Sequence, residues 1–173
     1  MTFNIKTPAT WKKIEEEKYP YLGIVNDNEI KCLSAFAEQI NENDYNLISF
    51  YDYSKLGPDF LTELDGELQR INETNELIDG NPTDEGYEDT SLMSNIYHGF
   101  TTKYGGTLYI DINKIPVQGT YVYTFQIFTE TKTGLVCAQS TIRELDEKNV
   151  LKSALDMPHI KDIIKCLFKL KEQ

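Results

Sequence analysis

Two histidines and three cysteines are all that this 173-residue chain offers for imidazole or thiol chemistry. His98 and His159 stand far apart in sequence, and neither has an HExxH-like neighbourhood that would hold a metal on one helix face. His159 and Cys166 lie seven residues apart in a stretch that reads as helix, about 10 Å along the axis, too far to share one metal ion. Cys32, Cys137 and Cys166 are odd in number and widely spaced, unlike a secreted disulfide framework or a zinc ribbon. No metal and no cofactor are expected, and a reducing cytoplasm suits free thiols.

Other signals are missing as well. No apolar run approaches the length that crosses a membrane. The opening Met-Thr-Phe-Asn-Ile-Lys lacks the basic segment and apolar core of a secretion signal. No glycine-rich strand-to-helix turn and no GxxxxGK[ST] run is present to cradle phosphate. Asp79-x-Asn81-x-Thr83 resembles the start of a calcium-binding loop, but the sixth position is Asp84 where glycine is needed, and the twelfth is Thr90 where glutamate is needed. Asn72-Glu73-Thr74 fits a glycosylation sequon, yet it falls inside a predicted helix. Without a recognisable catalytic constellation, the expected protein is not an enzyme; the alternative is an enzyme with a site near His98.

Positive charge is the other scarcity: 17 Lys and Arg face 28 Asp and Glu, for a net charge of −11. The excess is local. Residues 59–90 hold 11 acids and 1 base, whereas residues 91–173 hold 8 acids and 10 bases. Such a chain repels nucleic acid and anionic lipid and attracts a cationic protein.

What remains is an ordinary globular composition, 40% hydrophobic and 26% charged, long enough for one domain spanning residues 1–173. Thr7 and Pro8 offer a cap and first-turn proline for a helix over 7–18 that buries Trp11 and Ile14. Cys32, Leu33, Phe36, Ala37 and Ile40 have the spacing of a second helix over 28–39, with Cys32 in the core. Residues 45–53 read as a strand, closed by Gly57-Pro58. Leu61, Leu64, Leu68, Ile71 and Ile78 predict a helix over 59–79.

Residues 98–143 read as an antiparallel meander of about four strands, with turns at Gly105-Gly106, at Pro116 to Gly119, and at 131–134. In its longest strand Tyr121, Tyr123, Phe125 and Ile127 share one face, while Val122, Thr124, Gln126 and Phe128 share the other. Cys137 and Val136 point to opposite faces of the last strand. A helical region over 146–171, broken at Met157-Pro158, carries the apolar stripe Ile160, Ile163, Ile164, Leu167 and Phe168. The expected fold class is α+β: this meander plus the strand near 45–53, covered mainly on one face by N-terminal and C-terminal helices.

The candidate site follows from the charge. Asp59, Glu63 and Glu67 recur four residues apart on one helix face with no lysine among them and only Arg70 to relieve them locally, an arrangement costing about 0.2–0.5 kcal/mol per like-charged pair. Asp84, Glu85, Tyr87, Glu88 and Asp89 extend the negative field in a predicted loop. Tyr87 is one of 11 tyrosines, which supply rigid contact area beside carboxylates that pair with Lys or Arg. These residues are the expected partner-binding surface, with no catalytic residue and no metal ligand assigned. The expected partner is a basic protein such as a toxin nuclease, neutralised as bacterial immunity proteins and inhibitors do by occluding a cationic cleft; nucleic-acid mimicry and a scaffold role are variants. Neither nucleic acid nor membrane is expected as a partner.

Overall fold

The computed structural model describes residues 3–15, 28–74, 94–102, 106–117 and 119–171. Seven strands form one antiparallel sheet in the order β1-β2-β3-β7-β6-β5-β4. They are β1 (Trp11–Ile14), β2 (Lys31–Gln39), β3 (Tyr45–Asp52), β4 (Ser94–Thr101), β5 (Leu108–Val117), β6 (Thr120–Thr131) and β7 (Gly134–Ile142). A single-turn 3-10 segment, Ser54–Leu56, leads from β3 towards α1 (Phe60–Thr74), and α2 (Val150–Leu155) and α3 (Pro158–Lys171) follow β7.

The sheet is larger than the sequence pattern indicates, because both expected N-terminal helices are strands. Trp11 and Ile14 are both buried, as anticipated, but they lie three residues apart on a strand and therefore face opposite sides. Trp11 joins the larger core cluster, while Ile14 pairs with Ala35 on the other face. In β2 a bulge between Cys32 and Ser34 resets the alternation, so that apolar residues stand at 32, 33, 35, 36 and 37 and imitate helical spacing. Cys32 is half-buried, and Ile40, expected on the inner face of a helix, is exposed.

The meander stands, with shifted edges. β4 extends from Ser94 to Thr101, so His98 sits mid-strand rather than opening it. Pro116 lies inside β5 and not at the turn. Proline is tolerated there because, among the described residues, the pairing of β4 reaches only Lys114, so no described strand calls on Pro116 for a backbone N–H from that side. The strand at 45–53 and the helix break at Met157-Pro158 fall where anticipated.

Helices cover both faces, which corrects the one-sided expectation. Ile110, Ile112, Phe125, Ile127, Val136 and Ala138 pack under Leu155, Ile160, Ile163, Ile164 and Leu167 of α2 and α3. On the opposite face Tyr51, Tyr109, Phe128 and Cys137 form a smaller cluster with Leu61 of α1, and Phe60 and Leu64 pack against it. Each fully buried leucine of such a face stabilises by about 1.5–3 kcal/mol, enough to seat α1 although its other side is acidic.

That second face changes character along every central strand. Tyr109, Phe128, Cys137 and Tyr51 are in register across four strands beneath α1. The next residues on the same side are Asp111, Gln126, Gln139 and Ser49, again in register. Beyond them come Asn113, Thr124 and Thr141. α1 is held where the face is apolar, and the polar rungs begin beside it.

Candidate functional site

Asp59, Glu63 and Glu67 are all exposed. Asp59 immediately precedes α1, and Glu63 and Glu67 lie on its solvent-exposed surface, while the burial of Leu61 and Leu68 fixes the rotation of the helix. Among the described residues no salt bridge engages these three carboxylates. Gly66 lies on this outer side as well, and a Cβ added to it would meet nothing within 4 Å. The remaining predicted site residues, Asp84, Glu85, Tyr87, Glu88 and Asp89, lie outside the described residues, as does the calcium-like stretch beginning at Asp79.

A second polar centre lies where α1 meets edge strand β4. Asp111 is 5% exposed and is held by two amides: Asn95 donates to one carboxylate oxygen, and Asn113 Nδ2 donates to the other at 3.2 Å. Burial pushes the Asp111 carboxyl above its ordinary range, opposed by the bonds from Asn113 and Asn95 and by the nearby His98. Asn95 Oδ1 lies 3.1 Å from His98 Nδ1 and accepts from Asn72 Nδ2 of α1 at 3.3 Å. His98 Nε2 faces Asp65 of α1 at 4.0 Å. The Tyr109 hydroxyl is buried nearby, without a hydrogen-bond partner among the described residues. Burial first, then the Asp111 and Asp65 carboxylates, push that phenol upward.

Sequence reasoning named His98 but missed Asp65, Asn72, Asn95, Asp111 and Asn113. The available signal was Asp111 and Asn113 alternating with buried Ile110 and Ile112, on the side of the strand that continues from Tyr109. Which residues gather around them depends on strand pairing, which no local pattern supplies.

Elsewhere the chemistry is quiet. All three cysteines are free thiols. Burial pushes Cys166 up to about 11 and Cys137 well above the usual thiol range, so neither supplies a thiolate nucleophile at neutral pH. His159 is buried in α3, where desolvation lowers its proton affinity. No group of three His, Cys, Asp or Glu among the described residues could hold a metal ion. No helix among them is long and apolar enough to cross a membrane.

No protein-family model matches the sequence, and no curated protein matches it either. Among solved structures, the chain is similar to LpqN, described as involved in cell envelope biogenesis of Mycobacterium tuberculosis, with a TM-score of 0.35 and 13% sequence identity. The match covers 98% of this chain and 80% of LpqN. That likeness is too slight to bear on function.

Proposed function

We propose that this is a non-enzymatic acidic binding protein that docks a basic protein through the outer face of α1. The kind of partner that fits is a cationic toxin such as a nuclease, whose substrate cleft the acidic face would occlude, as inhibitors and immunity proteins do. The observation that supports this reading is the exposed ridge of Asp59, Glu63 and Glu67, which has no lysine among its members and enters no salt bridge among the described residues. Like charges left adjacent on a helix weaken it, and an exposed mid-helix glycine weakens it further, by about 0.5–1 kcal/mol relative to alanine. Both features lower stability without serving the apolar packing on the other side of α1. A cationic partner would compensate the first through steering and charge-assisted hydrogen bonds.

The test is affinity capture from lysate at low and moderate salt, followed by charge reversal. Glu63→Lys with Glu67→Lys should keep the fold, weaken capture of a basic protein at least tenfold and flatten its salt dependence. Unchanged affinity at every salt concentration would reject this surface.

A second reading, an enzyme with its site at His98, is favoured by one observation: the imidazole lies beside Asp65 and is linked through Asn95 to buried Asp111. Orientation of a histidine by a hydrogen-bonded neighbour is the arrangement a general base needs. A turnover screen with wild type and His98→Gln tests it, and equal rates for every substrate class would set it aside.

A further inference from the structure

The side-chain amide of Asn95 is held in one orientation by four oxygens. Its nitrogen faces Asn113 Oδ1 at 3.1 Å, the Tyr97 carbonyl at 3.3 Å, the Ile112 carbonyl at 3.4 Å and, in a short contact, Asp111 Oδ1. Two of these are backbone carbonyls and one is a carboxylate oxygen, none of which can donate. Exchanging the amide's oxygen and nitrogen would set Asn95 Oδ1 against an acceptor on nearly every side. Its oxygen must therefore point the other way, to His98 Nδ1 at 3.1 Å. Nδ1 thus has an acceptor at 3.1 Å, and the other group beside it, Asn72 Nδ2 at 3.3 Å, has Asn95 Oδ1 as an acceptor of its own, so the geometry favours a proton on Nδ1.

We propose that His98 is a proton-operated latch between α1 and β4: Nδ1 keeps its proton in every state, and Nε2 takes up a second one from solvent to engage Asp65. No covalent bond changes. The proton binds the Nε2 lone pair, Asp65 remains a carboxylate, and a 4.0 Å approach between two acceptors becomes an ion-paired hydrogen bond. The helix is already tied to the strand by Asn72 Nδ2 on Asn95 Oδ1, so the latch adds to an existing contact.

The titratable groups facing this histidine come from both packed elements. α1 contributes Asp65, and β5 contributes Asp111, which interacts electrostatically with the imidazole, with Tyr109 one rung away. On β4 itself Tyr97 packs with the core on the opposite face. The His98 side chain is 18% exposed and that of Asp65 is 35% exposed, so solvent protons reach Nε2. This inference rests on the α1–β4–β5 geometry and does not depend on the identity of any partner.

The test uses the full chain labelled with 15N, followed by long-range proton–nitrogen correlation from about pH 8.5 to about pH 5, the range over which an imidazole changes charge. The neutral form of His98 should carry its hydrogen on Nδ1, the minority tautomer of free histidine. On acidification, exchange of the backbone amides of Ile71, Asn72 and His98, corrected for intrinsic rates, should slow by about threefold, and Asp65→Asn should lose that response. A neutral His98 protonated at Nε2 would overturn the proposal. So would an identical pH response in wild type and in Asp65→Asn, a near-isosteric change at a half-buried position that leaves the apolar face of α1 intact.

Discussion

Gly134 is pressed against Ser54: a Cβ on Gly134 would stand 1.8 Å from Ser54 Oγ, the oxygen that accepts the Leu135 backbone N–H at 3.1 Å. The contact joins the start of β7 to the turn after β3. Gly134 also has φ of +151°, a conformation side chains rarely adopt. Gly134→Ala should therefore destabilise the protein by about 2–4 kcal/mol through overpacking and backbone strain combined. Urea unfolding measures it. Ser54→Ala in the same chain should recover part of the loss by removing the obstructing hydroxyl.

Gly66 presents the opposite case. Its Cβ position is open, and its φ falls outside the region that favours glycine, so Gly66→Ala should stabilise the chain by about 0.5–1 kcal/mol. The same methyl projects from the acidic side of α1. If a partner approaches that helix closely, the variant binds it more weakly while unfolding at higher urea; an unaltered affinity would place the contact away from Gly66.

Burial raises Asp111, so the native chain holds this proton to higher pH than the unfolded chain does. Its contribution to stability is fullest in acid and is lost as pH rises through the raised value. Asp111→Asn removes that dependence. Thermal unfolding at a series of pH values should show the variant gaining on the wild type from about pH 3 upwards and exceeding it at neutral pH. A wild type that remains more stable at neutral pH would mean that the amide bonds from Asn95 and Asn113 outweigh the cost of burying the charge.

His159 has the reverse sign. Desolvation lowers it below the ordinary 6.5, opposed by a hydrogen bond to the Thr141 backbone and by Glu38 and Asp162. The unfolded chain then takes up the proton first, so the stability due to a neutral buried imidazole is complete above 6.5 and is lost as pH falls below it. Between about pH 6.5 and pH 5, His159→Gln should show a shallower decline of unfolding temperature than the wild type. Parallel slopes would assign the acid sensitivity to other groups.

How far the sequence can be read depends on whether local periodicity carries the information. Tyr123, Phe125 and Ile127 alternate without interruption and are buried on one face as that alternation requires. Leu61 and Leu64 likewise give α1 its seat, and Leu68 is buried with them. β2 is misread because its bulge at Cys32 to Ser34 breaks the twofold repeat, and β1 because a strand covered on both faces buries Trp11 and Ile14 alike. The acidic ridge is legible since it needs only helical spacing. The cluster around Asp111 is not, because it joins Asp65 and Asn72 of α1 to β4 and β5 through rungs such as His98 with Asp111.

The strand order has a kinetic side. β1 to β3 and β4 to β7 are each chains of antiparallel neighbours, and the seam between β3 and β7 unites them, with Ser140 Oγ donating to the Leu47 carbonyl at 2.9 Å across 93 residues of chain. Closing so long a loop costs more entropy than closing any hairpin, and nothing at the seam is gained until both sides have formed. Truncations at Ile48 and Ala138, which line it, should accelerate unfolding and leave the folding rate nearly untouched; equal effects on both rates would make the seam part of the nucleus. The sheet then assembles as two separate meanders whose union is the slow, committing event, and a chain caught before it exposes the unsatisfied edges of β3 and β7 to its neighbours.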